Sequence, residues 1–315
     1  MITELKKIVE YGITNNMKPF ETWMLKLLDE LQIKPDKKNE IITMFNSNRT
    51  KNSGLNNLYL FNNTCSDIIL PNDIVSKNLI LSQKIQSEID KFITLYKNTD
   101  LLISHNLTPI LSLLLVGESG TGKTSVAYQI AKTMNLPLIS TNISTIISSY
   151  LGETSKKIND LFNRASEIPC VLFFDEFDSL GKKRNDERDV SELSRVVDSL
   201  LYEIDKFLSK GGILICASNF ELILDSALFR RFNIRIEFEK PTTNQIKELI
   251  SSVLHDIKMN FSDNFIDFVS PYFIEKSHDF IVKTLRGVTS ICLINGSDTI
   301  HHTDVCNYIG YKNEM

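Results

Sequence analysis

The chain has 315 residues, a length that favours two domains. Hydrophobic residues make up 42% and charged residues 23%, which is ordinary for a soluble globular protein and excludes a collagenous or wholly disordered chain. Lys and Arg number 35 and Asp and Glu 39, so the formal net charge is −4. This charge gives no global attraction for nucleic acid or for anionic membranes, which disfavours both as partners.

The cysteines and the N-terminal residues bear on the cellular compartment. Five cysteines, an odd number without a C-x-x-C pair, indicate buried thiols in a reducing compartment rather than disulfides or zinc ligands. The opening residues MITELKKIVE carry charges where a signal peptide needs an apolar core. The most apolar long window, Leu101–Val116, contains Ser104, His105 and Pro109, so it predicts no membrane span. We expect a cytoplasmic protein without membrane contact.

The first 70 residues predict a helical N-terminal extension. Within Phe20–Ile33, apolar side chains recur every three or four residues, which is the pattern of an amphipathic helix. A stretch rich in Asn, Ser and Thr follows at Asn46–Asn57 and predicts a linker. The apolar stripe of the helix is interpreted as a packing face.

Residues 71–240 alternate between short apolar runs and amphipathic stretches. Such runs are typical of parallel strands that are buried on both faces, and the alternation predicts βαβ units with helices on both sides of a sheet. The predicted strands are Leu113–Val116, Leu138–Ser140, Val171–Phe174, Ile213–Ala217 and Ile234–Phe238. We therefore predict an α/β fold with a parallel αβα sandwich in this region.

The pattern becomes helical after Pro241. Helices are predicted at Thr243–Leu254, Asp263–Phe273 and Ser277–Ile294. Residues 241–315 are therefore predicted to form a small C-terminal helical lid.

The strand at Leu113–Val116 runs into a glycine-rich phosphate-binding motif. The sequence from Gly117 to Thr124, GESGTGKT, fits G-x-x-x-x-G-K-[ST], and a helical pattern follows it. The glycines allow backbone N–H groups to converge on phosphate oxygens at a helix N-terminus. Lys123 is expected to reach the β- and γ-phosphates of ATP, and the Thr124 hydroxyl to bind Mg²⁺. The predicted nucleotide-binding residues are Gly117, Glu118, Ser119, Gly120, Thr121, Gly122, Lys123, Thr124 and Ser125.

Polar residues end two further predicted strands. Val171–Phe174 is followed by Asp175 and Glu176, and ligands bind at the carboxyl edge of such strands. Asp175 is expected to hold Mg²⁺ through water, and Glu176 to orient and polarise the attacking water. Asn219 follows Ile213–Ala217 and is expected to hold the same water; a turn-forming asparagine is the alternative.

Together these segments resemble the AAA family of ATPases, within the AAA+ superfamily, from Ser66 to Ile309. In this resemblance Gly117–Thr124 is similar to the Walker A loop, Val171–Asp178 to Walker B and Ala217–Asn219 to sensor 1. Two segments, Asp100–Pro109 and Ser191–Leu201, resemble small stand-alone bacterial members that are often encoded beside subtilisin-like proteases.

Two further motifs of the resemblance concern assembly and substrate. Leu224–Phe232 resembles the end of the second region of homology, which implies that Arg230 and Arg231 act in the nucleotide site of a neighbouring subunit. Ser149–Thr154 resembles the first pore loop, which implies that Tyr150 and Leu151 grip a polypeptide in a central channel. The resemblance thus implies a homo-oligomer, a hexameric ring, that acts on a protein substrate.

The sequence also departs from the family pattern. Glu118 and Ser119 stand where two prolines are usual, and Asn233 stands where an aspartate is usual. Ser277–Ile281 resembles the start of the lid helix only loosely. No sensor-2 arginine can be placed, and Arg286 is the nearest candidate.

The functional hypothesis is an ATP-hydrolysing ring that remodels or threads a protein substrate. Because the chain has no H-E-x-x-H motif, proteolysis would belong to a separate partner protease. Two alternatives stay open: a motor or loader that acts on nucleic acid, and a nucleotide-dependent switch without hydrolysis. The acidic composition disfavours the first, and the presence of both Glu176 and Asn219 disfavours the second.

Overall fold

The computed structural model describes residues 66–74, 79–148, 151–181, 187–219 and 226–313. The chain divides into two units, Met1–Tyr59 and Leu60–Met315, and every described residue lies in the second. The helix predicted within Phe20–Ile33 and the linker predicted at Asn46–Asn57 therefore lie outside the described residues.

Strands and helices alternate along the second unit. The strands are β1 Ser66–Ile69, β2 Leu111–Gly117, β3 Leu138–Asn142, β4 Val171–Asp175, β5 Ile213–Ser218, β6 Ile234–Phe238, β7 Asn260–Phe261 and β8 Thr299–Ile300. The helices are α1 Gln83–Lys97, α2 Thr99–Ser104, α3 Lys123–Met134, α4 Ile143–Ser148, α5 Leu151–Ala165, α6 Glu187–Ser209, α7 Ser226–Phe229, α8 Thr243–Ile257, α9 Phe265–Val269, α10 His278–Ile294 and α11 His302–Asn313. No helix in the described part of the chain combines the length and the apolarity that a membrane span requires.

Six strands form the central sheet in the order β1-β3-β4-β5-β2-β6. The five strands predicted from the sequence all pair in parallel, which confirms the α/β prediction. The sixth, β1, was not predicted and falls among residues assigned to the N-terminal extension. It pairs antiparallel with β3, with Ser66 opposite Thr141 and Ile69 opposite Leu138. The sheet is therefore mixed at one edge.

The central position of β2 explains its sequence. It lies between β5 and β6, and its residues Leu111–Val116 are all buried. A strand in the middle of a sheet that is covered on both faces has no solvent-facing positions, so its apolar residues run on without alternation. Side chains of α1 and α3 pack with β2 in one hydrophobic cluster that includes Phe92, Ile130 and Leu113.

The residues after Pro241 have a hydrophobic cluster of their own, around Leu254, Phe273 and Leu285. The expected helices α8 and α10 are present, but the lid also contains the short parallel pair β7 and β8 and a final helix, α11. The helix predicted at Asp263–Phe273 is interrupted: α9 ends at Val269, and a 3₁₀ turn continues to Phe273. Pro271 lacks the N–H that an α-helix would need there, and its ring would clash with the carbonyl four residues earlier.

Candidate active site

The glycine-rich loop connects the end of β2 to the start of α3. Because α3 begins at Lys123, the free backbone N–H groups of its first turn face the loop. The φ of Gly120 is 79°, in the left-handed region that favours glycine, and a Cβ there would lie 2.8 Å from the Oγ of Ser277. A Cβ on Gly117 would collide with the backbone oxygen of Phe238. Two of the loop glycines are thus required by close packing.

The ammonium group of Lys123 is held on the loop itself. Its Nζ donates hydrogen bonds to the carbonyl oxygens of Gly117 at 2.7 Å and Glu118 at 2.9 Å, and to the Oδ1 of Asn219 at 3.0 Å. The residue is only 6% exposed, and burial lowers its pKa, whereas the nearby charges of Asp175 and Asp178 raise it. A positive charge is therefore fixed inside the loop, where it can neutralise phosphate oxygens.

Thr124 and Asp175 meet across the end of the sheet. The hydroxyl of Thr124 donates to Asp175 Oδ2 at 2.9 Å, and Asp175 Oδ1 accepts from the backbone N–H of Glu176 at 2.9 Å. A hydroxyl and a carboxylate are the oxygen ligands that Mg²⁺ takes when phosphate and water complete its shell. Among the described residues no cluster of three or more His, Cys, Asp or Glu could hold a metal alone. The pair fits a magnesium ion that arrives with a polyphosphate.

The carboxylate of Glu176 is held by a residue that the sequence analysis did not single out. Asn142, at the end of β3, donates from Nδ2 to Glu176 Oε2 at 3.0 Å. Its own Oδ1 accepts from the backbone N–H of Ser144 at 2.9 Å, which fixes the orientation of the amide. Glu176 has a φ of 51°, a left-handed conformation that is uncommon for a residue with a side chain. Such backbone strain clusters at functional sites.

Asn219 forms hydrogen bonds with two residues of the site, Lys123 and Asp178. Its side-chain oxygen accepts from Lys123, and its backbone N–H donates to Asp178 Oδ1 at 3.1 Å. Asp178 is only 2% exposed and was not predicted as a site residue. Asn219 therefore stands between the phosphate loop and the residues that follow β4, which is more than a turn-forming asparagine would require.

These groups line a cavity of about 450 Å³. Its polar lining includes Lys123, Thr124, Asp175, Glu176 and Asn219, with Asn142 hydrogen-bonded to Glu176. The rest of the lining comes from residues 79–81 and from both apolar and polar side chains of the lid helices α8 and α10. Arg286, the sensor-2 candidate, also lines the cavity. The volume lies within the range of ligand-binding pockets for small molecules and cofactors.

The lid contacts the phosphate loop directly. The backbone N–H of Asp279, in the first turn of α10, donates to the carbonyl of Gly120 at 3.0 Å. Lys240, between β6 and α8, places its Nζ 3.4 Å from Glu118 Oε1 and 3.3 Å from Glu275 Oε2. The cavity is thus closed on one side by the lid, and Glu118, where the family pattern has proline, takes part in that closure.

The two arginines predicted to act between subunits have different surroundings. Neither lines the cavity. Arg231 binds Asp205 of α6 through Nε at 3.1 Å and Nη2 at 3.0 Å, and it donates to the carbonyl of Ala227. Arg230 is exposed and has no described ion pair or hydrogen bond through its side chain. Arg231 is held within its own subunit, whereas the guanidinium of Arg230 faces solvent.

The predicted pore-loop residues are only partly described. Tyr150 lies outside the described residues. Leu151 is the first residue of α5, so it begins a helix rather than lying within a loop. The helix α4, which ends at Ser148, precedes it.

Comparison with known proteins identifies the segment that contains the site. Residues 113–240 match the family described as ATPase family associated with various cellular activities (AAA). The chain is 39% identical over 166 residues to the uncharacterized AAA family ATPase y4kL of Sinorhizobium fredii, covering 53% of this chain and 50% of that protein. It is 38% identical over 169 residues to proteasome-activating nucleotidase 1 of Haloferax volcanii, covering 52% of this chain and 41% of that protein. The chain therefore spans half or less of the length of these relatives.

A solved structure supports the fold independently. The crystal structure of the FIGL-1 AAA domain matches with a TM-score of 0.64, covering 80% of this chain and 87% of that chain. At 18% sequence identity, this likeness concerns the fold.

Proposed function

Because residues 113–240 match the AAA family of ATPases, we propose that this chain hydrolyses ATP with Mg²⁺ and uses the energy to remodel or thread a protein substrate. The observation that carries the proposal is the convergence of Lys123, Thr124, Asp175, Glu176 and Asn219 in the lining of a single cavity. Phosphate release from ATP, measured with and without Mg²⁺, tests it. Release at the uncatalysed rate under both conditions would contradict hydrolysis and leave a nucleotide-dependent switch.

Each group has a role that follows from its surroundings. Lys123 would neutralise the β- and γ-phosphates, and Thr124 and Asp175 would hold the magnesium ion that accompanies the nucleotide. When bound, the ion neutralises charge that develops on the phosphates. Glu176, kept in place by Asn142, orients and polarises the attacking water. Asn219 accepts a hydrogen bond from Lys123 and is assigned to hold the same water.

We also propose that the active form is a homo-oligomer, a hexameric ring, in which Arg230 completes the nucleotide site of the next subunit. Supporting this, Arg230 is exposed and does not line the cavity of its own chain, whereas Arg231 binds Asp205. An arginine that reaches across an interface must be free to do so. We assign Arg231 a structural role instead: its ion pair with Asp205 holds the turn after α7 against α6.

A mixing experiment tests the shared site. Arg230→Ala should lower turnover by about 10³-fold or more, because an arginine finger contributes rate enhancements of that order. Mixed with a Lys123→Ala chain, it should regain part of the activity, since each chain supplies the half that the other lacks. Turnover is measured across mixing ratios after co-assembly has been established by size and mass.

The matched control is Arg231→Ala. Its bridge to Asp205 is partly exposed, so its loss should cost about 1 kcal/mol or less of folding stability. An Arg231→Ala chain that retains most of its turnover, beside an inactive Arg230→Ala chain, would separate the two roles. Co-assembled chains that show no rescue at any ratio would exclude sites shared between subunits.

We propose a protein as the substrate, with proteolysis, where it occurs, performed by a separate protease. Support comes from the similarity to proteasome-activating nucleotidase 1 of Haloferax volcanii and from the pore-loop resemblance around Tyr150. A Glu176→Gln chain, which should hold ATP without hydrolysing it, can capture the substrate or partner for identification. Salt-dependent binding of DNA or RNA that stimulates the ATPase would instead support a nucleic-acid motor.

Replacing Tyr150 should separate hydrolysis from remodelling. We expect Tyr150→Ala to leave basal ATP hydrolysis within a few-fold of the parent, because no phosphate, magnesium or water contact is assigned to this residue. Remodelling of the captured substrate should be lost, because alanine lacks the area and stiffness of an aromatic ring. Tyr150→Phe, which keeps the ring, should remodel at close to the parent rate. If Tyr150→Ala remodels as well as the parent, the threading mechanism is wrong.

A further inference from the structure

Two acidic residues are buried in the described part of the chain: Asp178, which is 2% exposed, and Glu203, which is 3% exposed. Burying a carboxylate is costly unless hydrogen bonds or opposite charges compensate for the lost water. Glu203 has such partners outside the cavity lining, because it accepts from Asn159 and Lys206. Asp178 instead accepts from the backbone N–H of Asn219, a residue of the candidate site. The burial of Asp178 is therefore connected to the site.

The turn that carries Asp178 is anchored in the core. Asp178 lies in a 3₁₀ turn, Phe177–Gly181, which directly follows Glu176. The ring of Phe177 is fully buried and packs edge-to-face against Phe232, with the ring centroids 6.0 Å apart. An interdigitated aromatic pair of this kind adds stability beyond the area that it buries. The packing therefore fixes the position of the neighbouring carboxylate of Asp178.

Asn219 is hydrogen-bonded on two sides to residues with ionisable side chains. Its backbone N–H donates to Asp178 Oδ1 at 3.1 Å, and its own Oδ1 accepts from the Nζ of Lys123 at 3.0 Å. Because β5 ends at Ser218, the direction of the Asn219 side chain depends on what holds its backbone beyond the strand. The hydrogen bond to Asp178 does so.

We propose that Asp178 is a positioning residue: it holds the backbone of Asn219 so that the Asn219 side chain stays on the ammonium group of Lys123 during turnover. The inference rests on the proposed hydrolysis of ATP. Because Asp178 does not line the cavity, it would act through Asn219 rather than on the nucleotide. Its loss should slow hydrolysis and leave ATP binding nearly unchanged, because Lys123 keeps its two bonds to the loop carbonyls.

A double-mutant cycle on the full chain tests this role. Asp178→Ala and Asn219→Ala should each lower kcat for ATP by about tenfold, an effect of the order of one hydrogen bond, with calorimetric ATP affinity within about threefold of the parent. The chain with both substitutions should be no slower than Asn219→Ala alone, because no amide is left to position. Independent effects would multiply instead, to about a hundredfold.

Asp178→Asn is the conservative variant, and Glu203→Ala is the matched control. The amide oxygen of Asp178→Asn can still accept the backbone N–H of Asn219, so its kcat should return to within about threefold of the parent. Glu203→Ala removes the other buried carboxylate and should lower thermal stability without lowering the kcat of the folded chain. If Asp178→Ala does not fold, Asp178→Ser takes its place in the cycle, because its hydroxyl lies one bond closer to the backbone and further from Asn219.

The outcomes separate the positioning role from the proposed function. The role is overturned if the cycle variant of Asp178 turns over as the parent does, or if its effect multiplies with that of Asn219→Ala. It is also overturned if Asp178→Asn is as slow as that variant, or if Glu203→Ala lowers kcat equally. All of these results leave ATP hydrolysis by the parent chain intact, whereas a parent chain that does not hydrolyse ATP would overturn the proposed function as well.

Discussion

Lys123→Ala is expected to abolish nucleotide binding. Hydrogen bonds to charged groups contribute about 1.5–3 kcal/mol each, so the loss of two such contacts to phosphate corresponds to at least about 10²-fold in affinity. The backbone of the loop stays, but its buried positive charge is gone, and no other lysine or arginine side chain lies among the loop residues 117–125. Calorimetric titration with ATP measures the effect.

Lys132→Ala is the control for this experiment. Lys132 lies on the same helix, α3, and its Nζ also donates to a backbone carbonyl, that of Ile74 at 2.7 Å, but it does not line the cavity. The Lys132→Ala chain should bind ATP with the affinity of the parent. An unchanged ATP affinity in the Lys123→Ala chain would show that the loop does not bind the phosphates.

Glu176→Gln should leave ATP bound and lower its turnover by roughly 10²-fold or more, the range that general acid–base groups contribute. The amide oxygen of glutamine can still accept the hydrogen bond from Asn142, so the side chain should keep its position. It cannot take a proton from water or polarise it as a carboxylate does. Single-turnover hydrolysis, measured beside ATP affinity, separates the two effects.

Glu167→Gln makes the same chemical change at an exposed position outside the cavity. Its turnover should equal that of the parent. Asn142→Ala makes the complementary change, because it removes the hydrogen-bond donor of the Glu176 carboxylate and leaves the negative charge of that carboxylate in place. Near-normal turnover in the Glu176→Gln chain would mean that another group activates the water.

The residues predicted from the sequence share a physical origin. Parallel strands buried on both faces produce continuous apolar runs, and the polar residue after each run, such as Asp175 or Asn219, lies at the carboxyl edge of the sheet. The same rule could have identified Asn142, because it ends β3 beside Asp175 in the pairing register. It was overlooked because it has neither a charge nor a motif around it.

The features that sequence analysis missed depend on tertiary packing. The strand β1 has only four residues and is stabilised as an edge partner of β3. Nothing in the sequence around His278 indicates that the first turn of α10 packs against Gly120. Contacts between residues so distant in sequence leave no periodicity or spacing that could be recognised. The bond between Arg231 and Asp205 likewise joins residues 26 positions apart.

The contact between lid and phosphate loop has two parts that should respond differently to ionic strength. The ionic part, formed by Lys240 with Glu118 and Glu275, lies at the surface, where salt screens charges beyond the Debye length, which shortens from about 8 Å at 0.15 M to about 3 Å at 1 M. The backbone hydrogen bond from Asp279 to Gly120 carries no net charge and is insensitive to such screening. At high salt the lid would therefore be attached to the loop through this one neutral link and the surrounding packing. The mobility of the lid relative to the nucleotide would then depend on the ionic strength of the solution as well as on the bound ligand.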